Sequence, residues 1–164
     1  MAKAIRDGFH AITPSLVVKG AAEAIEFYKR AFGAGEVDRT EMPSKDGGTV
    51  ICHAELQIGD SKLMLCDEFP EHGALGPRGH TSVSIFLYVE DVDAVYARAV
   101  EAGAVPEMPP ADMFWGDRWG KLADPFGHQW SIATHFEDVS REQLRERMAN
   151  AMVAGACSEA AVEA

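Results

Sequence analysis

The sequence has few cysteines, no basic cluster and no long apolar run, and each absence excludes a class of protein. Its three cysteines, Cys52, Cys66 and Cys157, are an odd number without CxxC spacing, which argues against a disulfide framework and a zinc ribbon. The net charge is −11, and no stretch concentrates the Lys and Arg residues as a nucleic-acid-binding surface would. No apolar run approaches the roughly 20 residues that span a bilayer. We therefore expect neither a nucleic acid nor a membrane as a partner.

Signals for secretion and for a nucleophilic enzyme are also missing. The first residues lack the apolar core of a signal peptide, so we expect a cytoplasmic protein. There is no GxSxG motif, and neither Cys52 nor Cys66 stands in a pattern that supplies a base. With 164 residues, 47% of them hydrophobic, the chain has the size of one ordinary domain or of two small halves that share a core.

What the sequence does contain is an internal repeat with a spacing of about seventy residues. Residues 15–34, SLVVKGAAEAIEFYKRAFGA, and residues 86–104, FLYVEDVDAVYARAVEAGA, each pass from a short strand into an amphipathic helix that ends at Gly-Ala. A polar connection and a hairpin follow in both halves. The hairpins turn at Gly59-Asp60 and at Asp124-Pro125-Phe126-Gly127. Each half therefore predicts the order β-α-β-β-β.

The repeat sets the expected organisation of the chain. We expect a first module at residues 8–70, a linker at 71–79, a second module at 80–136, and a C-terminal helix with a frayed tail at 137–164. The second strand of each module is weakly marked, near 36–42 and near 105–108. Ser140 followed by Gln143 forms a capping box, which predicts that the C-terminal helix begins there and runs to about Ala154.

These motifs resemble the vicinal oxygen chelate superfamily, which includes glyoxalase I, bleomycin-resistance proteins, fosfomycin-resistance proteins and extradiol dioxygenases. The resemblance rests on LxVxxAxxxIxFYxxxFGA in the first half and DPFGHxW near the end of the second. The residues that carry it are Leu16, Val18, Ala21, Ile25, Phe27, Tyr28, Phe32, Gly33, Asp124, Pro125, Gly127 and Trp130. The segments HAELQIGDSKLMLCDE and WGDR look most like the PhnB-like branch.

The resemblance implies an α+β fold, in which two βαβββ repeats form paired half-barrels around a shared cavity, with the helices outside. It also implies a homodimer, because family half-barrels commonly pair or swap between subunits. Strand alternation then assigns side chains to the cavity. Those expected to point inward include His53, Glu55, Gln57, Met64, Cys66, Ser84, Phe86 and Tyr88, whereas Cys52, Ala54, Val83 and Trp130 are expected to face the helices.

The resemblance also locates the family's metal site, and the residues there do not suit a metal. Metal-dependent members use four inward positions, which fall here on Thr13, Met64, Ser84 and Ser131. Hydroxyl and thioether groups bind divalent metals poorly, so we predict no metal and no other cofactor. A divalent metal would need a rearranged site. That site would join His53 and Glu55 with His10, His80 or Cys66.

His53 and Glu55 are the candidate catalytic residues. They lie two positions apart on one strand and therefore share a face. An imidazole beside a carboxylate is a workable acid-base pair near neutral pH. The alternative interpretations are a polar patch that lines a wet cleft, and half of the rearranged metal site.

The candidate ligand-binding residues lie in both halves. They are Gln57, Met64, Cys66, Ser84, Phe86, Trp115, Arg118 and Trp119. Trp115 and Trp119 lie in the Pro/Gly-rich stretch MPPADMFWGDRWG and suit an apolar or planar ligand, or else form a local aromatic cluster. Arg118 would either grip a carboxylate or phosphonate, or form an ion pair with Asp117.

The sequence thus leaves three functions open. The first is a protein that binds a small organic molecule without the standard metal site, and the absent ligands together with the tryptophans favour it. The second is an isomerase or lyase that uses His53 and Glu55. The third is a metalloenzyme with a rearranged site.

Overall fold

The computed structural model describes residues 3–44 and 46–153 of the chain. The first module consists of β1 (Ser15–Val18), α1 (Ala21–Phe32), β2 (Gly35–Pro43), β3 (Thr49–Ile58) and β4 (Ser61–Asp67). The second consists of β5 (Ser84–Tyr88), α2 (Val92–Glu101), β6 (Val105–Asp112), β7 (Asp117–Ala123) and β8 (Gln129–His135), followed by α3 (Arg141–Val153). The predicted βαβββ repeat and the C-terminal helix are confirmed. The predicted tail at 154–164 lies outside the described residues.

Each module forms one four-stranded sheet with the same strand order. The orders are β1-β4-β3-β2 and β5-β8-β7-β6, and the first two strands of each are parallel. The outer strands β2 and β6 are those that the sequence marked weakly. Nearly all of β2 is exposed, so it shows no apolar alternation. β6 contains Pro109 and Pro110, which donate no hydrogen bond to a sheet and are tolerated at an edge.

The two helices begin in equivalent ways, which shows how far the repeat extends. The Asp67 carboxylate at the end of β4 accepts hydrogen bonds from the Gly20 and Ala21 amides at 3.0 and 2.8 Å. At the end of β8, the Thr134 hydroxyl accepts one from the Val92 amide at 2.9 Å. Each helix is therefore fixed to its sheet through amides of the first turn, which have no partner within the helix.

The modules share one hydrophobic core on their helix sides. Trp130, on the helix side of β8, packs against Tyr28 and Phe32 of α1, with ring centroids 5.5 and 4.3 Å apart. The Asp124 carboxylate accepts hydrogen bonds from Tyr28 Oη at 2.7 Å and Trp130 Nε1 at 3.0 Å. Four of the residues by which the sequence resembles its family, Tyr28, Phe32, Asp124 and Trp130, thus make contacts between the modules. We call the other face of each sheet, away from this core, its concave face.

Alternation assigns most faces correctly, but two predicted helix-facing residues differ. At Cys52 the pairing of β2 with β3 shifts, because Thr40 pairs with His53 whereas Glu41 pairs with Ile51. This bulge places Ile51 in the core in place of Cys52, which is only half-buried. Val83 is 69% exposed because it precedes β5 and does not pack against the core.

The C-terminal helix begins where the capping box predicted. The Ser140 amide donates to Gln143 Oε1 at 3.0 Å, and the Gln143 amide donates to Ser140 Oγ at 3.3 Å. Arg147 holds α3 against the preceding segment through Glu137, at 2.6 and 2.8 Å. Across the described ranges, no helix is long and apolar enough to cross a membrane.

Candidate functional site

The concave face of the first sheet carries the predicted acid-base pair, and a third residue joins it. His53 Nε2 lies 3.2 Å from Glu55 Oε1, as the two-residue spacing predicted. Arg6 holds the same carboxylate with both terminal nitrogens, at 2.5 and 3.2 Å. The Arg6 guanidinium, with a smaller contribution from His53, lowers the pKa of Glu55, which is only 2% exposed. Glu55 is therefore an ionised, fully engaged carboxylate rather than a free base.

The segment ahead of β1 lies over this face. The guanidinium of Arg6 stacks on the Phe9 ring, 4.5 Å from its centroid, and Lys62 Nζ lies 5.8 Å from the same ring. Arg6 precedes the repeat and belongs to no periodic pattern. The sequence therefore gave no signal that it would reach Glu55.

The other candidates of the first half are arranged around this pair. Met64 pairs with Glu55 across β3 and β4, and so lies beside it on the concave face. Gln57 is engaged locally, because its amide donates to the Gly59 carbonyl at 2.9 Å. Cys66 is half-buried, and burial raises the pKa of its thiol, which disfavours a thiolate nucleophile.

A cavity of about 550 Å³ adjoins the other end of this sheet, between the β2–β3 hairpin and the segment after β4. Its walls include Met42, Val50, Cys52 and Phe69, but neither His53 nor Glu55. This cavity is thus separate from the predicted acid-base pair.

The positions that correspond to the family's metal ligands do not fit a metal ion. Ser84 Oγ and Ser131 Oγ lie 3.4 Å apart and interact with each other. In the first half, Thr13 precedes β1 and its hydroxyl donates to the His10 carbonyl. The donors offered are neutral hydroxyls and the Met64 thioether, which divalent metals bind poorly. Within the described residues, no three His, Cys, Asp or Glu side chains lie close enough together to hold a metal ion.

Exposed aromatic rings cover the concave face of the second sheet. Phe86 and Tyr88 of β5 are 49% and 60% exposed, and their ring centroids lie 4.9 Å apart. Tyr88 pairs with Ala133, which in turn pairs with Trp119, so two aromatic side chains flank a small residue across three strands. Such a surface offers apolar ring area, as a site for a planar ligand requires.

A buried carboxylate organises one end of this aromatic face. Asp117, 4% exposed, accepts hydrogen bonds from His135 Nδ1 at 2.7 Å, Tyr88 Oη at 3.1 Å and Trp115 Nε1 at 3.1 Å. Trp115 meets Trp119 edge to face, with centroids 6.1 Å apart. The carboxylates of Asp117 and then Asp138 raise the pKa of His135, because they stabilise the imidazolium. We name Phe86, Tyr88, Trp115 and Trp119, with Asp117 and His135, the aromatic site.

No motif or spacing in the sequence links His135 with Asp117, and the alternative ion pair between Asp117 and Arg118 is not formed. Asp117 pairs with His135 across β7 and β8. Arg118 instead binds Asp93 of α2 at 2.6 and 2.8 Å and Asp112 at 2.9 Å. Arg118 is therefore on the helix side of β7, away from Trp119, and is not brought together with the other candidate ligand-binding residues.

Comparison with known proteins agrees with this fold. A model of the Glyoxalase/Bleomycin resistance protein/Dioxygenase superfamily matches residues 8–132. Rv0887c, an uncharacterised protein of Mycobacterium tuberculosis, is 41% identical over 145 residues, which cover 85% of this chain and 83% of that protein. TioX from Micromonospora sp. ML1 has a TM-score of 0.61 at 26% identity, over 77% of this chain and 99% of that chain. The PhnB protein from Bacillus cereus has a TM-score of 0.61 at 20% identity, over 76% and 99%, and so shares the fold.

Proposed function

The chain belongs to the Glyoxalase/Bleomycin resistance protein/Dioxygenase superfamily, and from this premise we propose that it binds a small organic molecule with a flat aromatic part. The ligand lies on the aromatic site of the second sheet, and binding uses no metal at the family's usual positions. The exposure of Phe86 and Tyr88 carries the proposal, since neighbouring aromatic rings on a rigid strand are rarely left in water without a binding role.

The chemistry of the two concave faces favours binding over proton transfer at the predicted pair. Glu55 is held by Arg6, so its carboxylate is not available to take a proton from a substrate. The aromatic site, by contrast, presents rings whose positions are fixed. Trp115 is anchored through its indole N–H to Asp117, and Tyr88 through its hydroxyl. Fixed rings lose little conformational entropy when a ligand stacks on them.

A second copy of the chain would complete the cavity. Both concave faces point away from the core that joins the two modules, and Phe86 and Tyr88 remain open to solvent. We propose a homodimer in which such faces meet and enclose the ligand. Sedimentation velocity tests this part of the proposal, and a monomer at micromolar concentration would refute it.

The test uses the neutral fluorescent probe N-phenyl-1-naphthylamine (NPN), whose emission increases in an apolar site. Titration should show saturable binding to the wild-type protein. Phe86→Ala should weaken it by about tenfold, since a lost aromatic contact costs about 1–1.5 kcal/mol. Phe136→Ala is the matched control, because Phe136 is also a phenylalanine, is 53% exposed, and lies beyond the end of β8.

Two results would overturn the proposal. One is the absence of saturable NPN binding by the wild-type protein. The other is an equal loss of affinity in Phe86→Ala and Phe136→Ala, which would mean that the probe does not select the aromatic site. Circular dichroism of both variants checks that the fold is retained.

A further inference from the structure

His135 stands at the edge of the aromatic site with one ring nitrogen committed and the other directed outward. Nδ1 donates to buried Asp117 at 2.7 Å, and the same carboxylate binds Tyr88. The imidazole is therefore held beside the exposed Tyr88 ring in one orientation. Its side chain is nevertheless 49% exposed, so the outward nitrogen can be reached from solvent.

The partner of the outward nitrogen is easily displaced. Nε2 lies 3.2 Å from Oδ1 of Asp138, whose side chain is fully exposed. Breaking such a contact costs little free energy, because water replaces the imidazole as partner of the carboxylate and salt already screens the ion pair. Asp117, by contrast, is buried and accepts three hydrogen bonds, so an incoming ligand competes with Asp138 alone.

We propose that His135 receives an anionic oxygen of the ligand, so that the molecule bound by the aromatic site is a planar aromatic acid. A carboxylate, sulfonate or phenolate would replace Asp138 at Nε2 while the ring system stacks on Phe86 and Tyr88. This inference rests on the proposed function and adds a chemical class to it. The displaced Asp138 carboxylate stays on the chain in solvent, where water and salt weaken its repulsion of the bound anion.

Several charged or titratable groups surround His135 and define the background for this exchange. They are Asp117 on β7, Tyr88 on β5, Asp138 after β8, Glu137 paired with Arg147 of α3, and Glu90, Asp91 and Arg98 in the depression that His135 also lines. Most are acids, which favour the protonated imidazole. The raised pKa of His135 agrees with that expectation, and an imidazolium is a strong donor to an anion.

The test compares NPN with 8-anilino-1-naphthalenesulfonate (ANS), which has the same aromatic skeleton and an added sulfonate. We expect His135→Gln to lower the ratio of ANS affinity to NPN affinity by about tenfold, the usual loss for a hydrogen bond to a charged group. Asp138→Asn should raise the same ratio a few-fold, because it weakens the competing acceptor. His80→Gln is the control, because His80 is an exposed histidine ahead of β5.

The pH dependence in the wild-type protein gives a second measurement that needs no variant. The sulfonate stays ionised and the pKa of His135 is raised, so ANS affinity should fall only as the pH rises above the ordinary histidine pKa of about 6.5 and His135 loses its proton, whereas NPN affinity should stay level. If NPN binds but neither His135→Gln nor pH changes the ratio of ANS affinity to NPN affinity, this inference alone is overturned. A failure of NPN to bind would overturn the proposed function and this inference together.

Discussion

Asp124→Ala should remove a large part of the stability of this protein, because one buried carboxylate joins the two modules. Asp124 is 3% exposed and accepts four hydrogen bonds. Two come from the side chains of Tyr28 and Trp130, at 2.7 and 3.0 Å. Two come from the amides of Phe126 and His128 in its own turn, both at 2.9 Å.

The magnitude follows from the donors that alanine would leave without an acceptor. Tyr28 and Trp130 are 0% and 1% exposed, so neither donor can reach water. Each unsatisfied buried donor costs about 1–3 kcal/mol. The two together cost about 2–6 kcal/mol, partly offset because no carboxylate has to be buried. We expect a loss of about 3–4 kcal/mol, a large fraction of the roughly 5–15 kcal/mol typical of a domain.

Urea unfolding, followed by tryptophan fluorescence and circular dichroism, measures the effect. Asp60→Ala is the matched control, because Asp60 occupies the corresponding hairpin turn of the first module and is exposed. It should change the free energy of unfolding by no more than about 0.5 kcal/mol. An Asp124→Ala loss below about 1 kcal/mol would refute the reasoning, since two buried donors would then cost almost nothing.

A double-mutant cycle tests the same contact without relying on one variant. Tyr28→Phe removes a single donor and should cost about 1–2 kcal/mol in the wild-type background. In the Asp124→Ala background it should cost nothing or stabilise, because it removes a hydroxyl that has lost its partner. Equal costs in both backgrounds would show that Tyr28 and Asp124 are not coupled.

Three further predictions concern the electrostatics of the chain. Burial and then Asp124 raise the pKa of Tyr28 well above its ordinary value, so stability is complete below about pH 10 and falls at higher pH. Tyr28→Phe should remove most of that fall in urea unfolding at alkaline pH. Arg118→Ala should lower the melting temperature, because it breaks contacts with α2, yet leave NPN affinity within about twofold. A tenfold loss of NPN affinity would mean that Arg118 contributes to ligand binding after all. Arg6→Gln should raise the pKa of Glu55, because Arg6 is the main cause of its lowered value. Carboxyl-carbon NMR titration measures this pKa, and an unchanged value would contradict the assigned cause.

The fold could be predicted because two independent patterns agree along the chain. Apolar periodicity changes from two to about 3.6 residues at the same place in each repeat. The Gly-Ala helix ends and the turn at Asp124 then limit the elements on either side. The pattern was wrong at Cys52, because a bulge adds one residue to a strand and alternation by itself carries no sign of it.

The candidate site could be predicted where strand alternation or close spacing in sequence assigns residues to one face. The spacing of His53 and Glu55 was enough to place them together. Arg118 and Trp119 lie on opposite faces of β7, because adjacent residues of a strand alternate. The contact of Asp117 with His135 depends on the register between β7 and β8, which the individual strand patterns do not fix.

The repeat also explains why the two concave faces differ in chemistry although their backbones match. Residues that join the modules, such as Tyr28, Asp124 and Trp130, lie on the helix side, where packing restricts them. The concave faces carry no such restriction. The first is charged and covered through Arg6, whereas the second is aromatic and ends at His135. If a dimer brings unlike faces together, one face supplies polar groups and the other supplies stacking. Neither module alone would then hold the whole ligand, and binding would require the assembled dimer.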